Sequence, residues 1–179
     1  MPAKICVVGS SNIDLVSRVP RLPKLGETLT GHSFHLGYGG KGANQAVMAA
    51  KLGARVTMVT KLGRDVFGEG TLNNYRDQGI DTTFVLFDES AASGVAPIFV
   101  DDHAQNFVVI VPGANNRLSP ADVQSAAEAI RAADLLVCQL EIPIETTLEA
   151  FRIAHSANVR TILNPAPAAL LPDELLQLT

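Results

Sequence analysis

Residues 37–50 read Gly37-Tyr38-Gly39-Gly40-Lys41-Gly42-Ala43-Asn44-Gln45-Ala46-Val47-Met48-Ala49-Ala50, a glycine run that opens straight into a helical pattern. Removing side chains from the start of a helix lets another group approach its free backbone N–H groups and the positive end of its dipole. Lys41 and Asn44 add directional polar groups to that cradle. Ala43, Ala46, Val47 and Ala50 share one stripe of the helix, which stops at Gly53. Side chains this small suit close packing on a sheet.

Strands are legible on both sides of this helix. Ile5-Cys6-Val7-Val8-Gly9 is a continuous apolar run, as expected for a strand buried on both faces. Val56-Thr57-Met58-Val59-Thr60 follows the helix, and a second helix ends at Gly79 with Asp65 as its expected N-cap. Ser119-Pro120-Ala121-Asp122 combines a capping hydroxyl, a first-turn proline and a first-turn acid, and Val123, Ala127 and Ile130 form the stripe behind it. Leu135 to Leu140, a helix carrying Ile144, Leu148 and Phe151, and the strand Arg160 to Leu163 complete the alternation. Such βα repetition predicts an α/β fold, a doubly wound and mostly parallel sheet with right-handed crossovers.

Two segments break the rhythm. Residues 14–40 and 83–112 carry β-branched and aromatic residues without helical period, and 94–101 with 106–111 reads as a hairpin around Asp102-His103-Ala104-Gln105. These pieces are expected to form a small β lid beside an α/β core made of residues 1–13, 41–82 and 113–179. The edges of such a lid are free to pair with another subunit. Only four strands are evident for the main sheet, and the helix begun at Pro172-Asp173-Glu174 has no C-cap, so the sheet is expected to continue past Thr179.

Composition narrows the partners. A net charge of −4 leaves no basic footprint for nucleic acid, and no apolar run of spanning length or N-terminal apolar leader is present, so a cytoplasmic location is expected. Cys6 and Cys138 lie inside apolar strand runs and read as reduced core thiols, and the four histidines show no metal-ligand spacing.

In open α/β sheets, ligands sit beyond the carboxyl ends of the parallel strands. Asn12 and Asp14 follow the first strand two residues apart, pointing to the same side; Glu141 follows the strand ending at Leu140; Asn164 follows Leu163. With the 39–44 cradle, one rim of the sheet gathers acids, amides and a lysine. That inventory suits a neutral polyol, whose hydroxyls need carboxylates to accept and amide or ammonium groups to donate. Taken singly, Asn12 and Asp14 fit a turn cap, Glu141 a solvated loop acid, Asn164-Pro165 a turn opener and Lys41 a surface residue. Their joint placement at strand ends favours a binding site.

Two phosphate motifs compete for the glycine run. Gly37 to Gly42 formally matches GxGxxG, but a long β-rich insertion separates it from the first strand, where a dinucleotide-binding module would have a tight turn. A P-loop requires Gly at position 35, which is His35, and Ser or Thr after Lys41, where Gly42 stands.

The sequence resembles the ribokinase family of sugar kinases over its whole length, through Asn12-Ile13-Asp14, Gly39-Gly40-Lys41-Gly42-Ala43-Asn44-Gln45-Ala46, Gln139-Leu140-Glu141 and Asn164-Pro165-Ala166-Pro167-Ala168. The resemblance implies a Rossmann-like core under a β lid that pairs two subunits into a homodimer. It implies ATP-dependent phosphorylation of ribose at O5, with Mg2+ and a monovalent cation (K+) as cofactors. Asn12, Asp14, Gly40, Lys41, Asn44 and Glu141, with Gly42 and Ala43 of the same run, would hold the sugar, and Ala96, Ile98 and Ile110 of the lid would cover its apolar faces. The Gly-x-Gly-Asp stretch that carries the catalytic base in this family does not occur in these 179 residues and is expected downstream of Thr179. The resemblance therefore assigns this chain the sugar-binding half, with no catalytic residue or metal ligand of its own. A non-catalytic sugar-binding product and a dinucleotide-binding module remain the alternatives.

Overall fold

The computed structural model describes residues 1–179. Its elements, in chain order, are β1 (Lys4–Val8), β2 (Asn12–Arg18), β3 (Ser33–Gly39), α1 (Lys41–Lys51), β4 (Arg55–Gly63), α2 (Val66–Asp77), β5 (Asp81–Asp88), β6 (Gly94–Val100) and β7 (Asn106–Val108). A 3-10 turn at Gly113–Arg117 leads to α3 (Pro120–Ser125), α4 (Ala127–Arg131), β8 (Leu135–Cys138), α5 (Ile144–Ser156), β9 (Arg160–Leu163) and α6 (Asp173–Gln177).

Five parallel strands form the main sheet in the order β5-β4-β1-β8-β9. The central strand β1 is covered on both faces, which is why its sequence is apolar without alternation. Cys6 and Val8 pack with Leu136, Cys138 and the helices α3 to α6, and Val7 packs with Val56, Met58 and the helices α1 and α2. Both cysteines are buried and unbridged. Burial pushes the Cys6 thiol up to about 12, so it behaves as an apolar core residue.

A second sheet has the order β3-β2-β6-β7, with β2 antiparallel to β3 and parallel to β6. β6 and β7 form the expected hairpin. The main sheet hands the chain directly to this one: β1 ends at Val8, and β2 begins at Asn12 after only Gly9, Ser10 and Ser11.

The lid differs from its sequence reading at both boundaries. Residues 81–88 run as β5, parallel to β4 at the edge of the main sheet, so the second lid segment starts at Gly94 and not at residue 83. The first lid segment starts at Asn12 and not at residue 14. Strand periodicity cannot say which sheet a strand joins; that choice is made by the crossover through α2, which returns β5 parallel to β4. The capped helix at Ser119 is also broken at Ala126 into α3 and α4. Its capping box is present, with the Ser119 hydroxyl accepting from the Asp122 N–H and Asp122 accepting from the Ser119 N–H.

Candidate functional site

Three chain segments meet where the two sheets join: the β1–β2 link, the start of α1 and the residues after β8. Gly40 makes the meeting possible. Its φ of +91° lies in the left-handed region, and a Cβ there would stand 2.8 Å from the Asn12 nitrogen and 3.0 Å from the Ser10 carbonyl oxygen. No residue with a side chain fits that backbone approach.

The start of α1 is closed by the protein itself. Glu141 Oε2 accepts from the Lys41 backbone N–H at 2.9 Å and from the Ser10 hydroxyl at 2.6 Å, and Glu141 Oε1 accepts from Lys41 Nζ at 2.8 Å. The Gly42 N–H donates to Ser10 Oγ and the Ala43 N–H to the Ser10 carbonyl. Glu141 thus supplies the negative charge that the helix dipole favours. The cradle read from the sequence as open to a ligand is occupied by a carboxylate of the same chain. Gly42 and Ala43 are buried against β1 and its following turn.

The other predicted residues converge on one cleft of about 190 Å³. Asn12, Asp14, Gly40, Lys41, Asn44 and Glu141 line it together with Ala96, Ile98, Val108 and Ile110, and Asp14 is the register partner of Ala96 across β2 and β6. Sequence reasoning missed Val108, which faces the same way as Ile98 because the two are register partners across β6 and β7. It also missed Ser10, which holds Glu141 in place. A serine two residues before Asn12 carries no signal in sequence; only the turn that brings residue 141 to residue 10 reveals it.

The two acids of the cleft are held in opposite electrostatic states. Burial, and then the negative charge of Glu141, hold the Asp14 carboxyl above the usual carboxylate range. Burial also pushes Glu141 up, but the hydrogen bonds from the Lys41 amide, the Lys41 ammonium and the Ser10 hydroxyl outweigh it and hold that group below the usual range. Asp14 has no such donors within the chain. Its carboxylate lies over Gly39, where any Cβ would collide with both oxygens. Both oxygens are therefore free to accept from a ligand. The Asn44 amide, the Asn12 amide and the Lys41 ammonium line the same cleft as donors. Polar and aliphatic groups together suit a small ring that carries both hydroxyls and C–H groups.

Comparison with known proteins gives the family. Residues 2–179 match the pfkB family carbohydrate kinase profile. The chain is 48% identical to a ribokinase of Mus musculus over 166 residues, 93% of this chain and 51% of that protein. It is 46% identical to a deoxyribokinase of Salmonella typhi over 164 residues, 92% of this chain and 54% of that protein. The solved structure of Arabidopsis thaliana ribokinase complexed with ribose and ATP superimposes with a TM-score of 0.92 at 32% identity, over 98% of this chain and 58% of that one. The chain spans about half the length of the relatives it matches.

Proposed function

The chain belongs to the pfkB family of carbohydrate kinases, and on that premise we propose that it supplies the sugar-holding half of a ribokinase-type enzyme, which phosphorylates ribose at O5. The observation that carries this reading is the Asp14 carboxylate, half-buried without a donor of its own in a cleft it shares with three donor side chains. A half-buried carboxylate with no donor in the chain is open to a ligand, and neighbouring hydroxyls of a pentose would satisfy both of its oxygens. Asn12, Asn44 and Lys41 would donate to the remaining hydroxyls, and Ala96, Ile98, Val108 and Ile110 would exclude water from the opposite face. Excluding water strengthens each of those hydrogen bonds.

Nucleotide use is part of the proposal through the relatives. The residues described here do not form a triphosphate cradle: the one glycine-rich helix start has its amides bonded to Glu141 and Ser10. No three His, Cys, Asp or Glu side chains converge on a cation position. ATP, Mg2+ and K+ are therefore given no step through these residues, whose work is to bind and orient the acceptor sugar. The same closed helix start removes the cradle that a dinucleotide-binding module would need.

A second copy of the chain is the partner proposed for the lid. The face of the lid turned away from the cleft exposes Phe34, Leu36 and Tyr38 of β3 together with Phe99, Phe107 and Val109. An apolar sheet face of this kind is normally covered. No helix is long and apolar enough to cross a membrane, and the covering surface proposed is the matching lid of a partner subunit.

Calorimetric titration tests the sugar reading. Ribose should bind the wild-type chain, and Asp14→Asn should weaken it by about thirtyfold, the loss of about 2 kcal/mol expected for hydrogen bonds to a charged acceptor. A parallel titration with 2-deoxyribose decides between the two sugars that the relatives' names offer. Equal ribose affinity in wild type and Asp14→Asn would overturn the proposal.

A further inference from the structure

We infer that Asn115 is a positioning residue that orients the Asn12 amide, so that Asn12 presents its NH2 and not its carbonyl to the sugar. The inference rests on the ribose-binding reading above and adds to it a residue that does not line the cleft.

The orientation follows from backbone groups whose roles cannot be exchanged. The Ser11 backbone N–H, a donor only, lies 2.8 Å from one end of the Asn115 amide, which must therefore be its oxygen. The other end is then the NH2. It lies 3.1 Å from the Ser11 carbonyl and 3.0 Å from the Pro112 carbonyl, both acceptors only. The same NH2 lies 2.8 Å from the Asn12 side chain, so the atom of Asn12 that meets it is the carbonyl oxygen. Three backbone groups thus fix one amide, and that amide fixes the next.

Asn115 is 2% exposed and Asn12 4%, so neither can turn to water instead. The pair is packed over Gly94, where a Cβ would collide with both amides. With its oxygen held, Asn12 has its NH2 left without a protein partner at the cleft it shares with Asp14. Asn115 sits in the 3-10 turn that carries the chain out of the lid, and Asn12 opens the lid's first strand. One side-chain hydrogen bond therefore ties the sugar-facing donor to the segment on which the lid closes its circuit.

The test is a double-mutant cycle read by ribose calorimetry, with side-chain amide NMR on the free chain. Asn115→Asp is nearly isosteric and keeps the acceptor for the Ser11 N–H, but it sets a carboxylate oxygen against Asn12 as well as the Ser11 and Pro112 carbonyls, and favours the flipped Asn12 amide. Ribose affinity should fall by about tenfold, the value of one hydrogen bond together with a misplaced acceptor. In an Asn12→Ala background the same substitution should cost less than twofold, because the amide it acts through is gone. An equal loss in both backgrounds overturns the inference, since a merely structural role would be additive.

The NMR measurement stands without ribose. In the wild-type chain the Asn115 NH2 protons should exchange slowly with water and the Asn12 NH2 protons rapidly; the reverse pattern overturns the inference even where Asn115→Asp fails to fold. A wild-type chain that binds no ribose but shows the expected exchange pattern would sink the ribose reading alone and leave the amide orientation standing.

Discussion

Replacing Glu141 with Gln removes one charge from the centre of the site while keeping its shape. In the native chain three donors converge on the Glu141 carboxylate: the Lys41 N–H, the Lys41 ammonium and the Ser10 hydroxyl. A glutamine offers one oxygen to three donors and brings an NH2 where an acceptor is needed. The Ser10 hydroxyl can reverse its role and accept from the new NH2, so the glutamine oxygen keeps one of the two bonds from Lys41 and the other is lost. Severing a fully buried ion pair costs about 3–5 kcal/mol. This one is only half buried, because Glu141 is 9% exposed but Lys41 is 35% exposed and its ammonium can turn to water. A loss of about 2 kcal/mol follows, which for a chain of this size lowers Tm by roughly 4–8 °C.

The pH dependence makes the prediction sharper. Glu141 is held below its ordinary range in the folded chain, so its stabilising contribution is complete above the unfolded glutamate value of about 4.3 and disappears as pH falls through the depressed folded value. Urea unfolding of wild type and Glu141→Gln at pH 7 and at steps down to pH 3.5 should give stabilities that differ most at neutral pH and converge in acid. A difference below about 0.5 kcal/mol at pH 7, or one that stays constant into acid, would refute the reasoning that Glu141 closes the helix start as a charged group.

Four further outcomes are expected. Asp14, raised by burial and by Glu141, loses its charge at a higher pH than an ordinary aspartate; ribose affinity measured by calorimetry should decline on acidification with a midpoint above about 3.9. Because that raised value means the folded chain bears a cost for the carboxylate at neutral pH, Asp14→Asn should be at least as stable as wild type at pH 7 in urea while binding ribose worse. Gly40→Ala combines a left-handed backbone with a Cβ collision and should lose about 2–5 kcal/mol, read as a lower urea midpoint; a loss under 1 kcal/mol contradicts the close approach. Phe34→Lys with Phe107→Lys should turn a dimer into a monomer in sedimentation velocity, and a wild-type chain already monomeric at tens of micromolar would end the lid-pairing proposal.

Much of the fold was readable before any coordinates. The alternation of buried strands and amphipathic helices, the Ser119 capping box, the Asp65 N-cap and the 94–111 hairpin depend on local periodicity and local hydrogen bonds, which a linear sequence carries. Residues 83–88, read as the start of the second lid segment, belong to β5 of the main sheet, because the pairing partner of a strand is chosen by a crossover and not by its own pattern. In the site, Asn12, Asp14, Lys41, Asn44 and Glu141 were singled out because strand ends in an α/β sheet share one rim. What each of them does there was not readable.

Composition, periodicity and the glycine run were enough to determine the α/β class and which side chains stand at the rim, since both follow from the chain's own spacing. Only the tertiary structure decided that Glu141 seals the helix start and pairs with Lys41, that Asp14 is the acid left open, and that Asn115 orients Asn12. The separations in those contacts are 100 residues for Lys41 and Glu141 and 103 for Asn12 and Asn115. Hydrogen-bond roles over such distances are assigned by which groups compete for each donor once the chain has folded. That competition exists only in three dimensions.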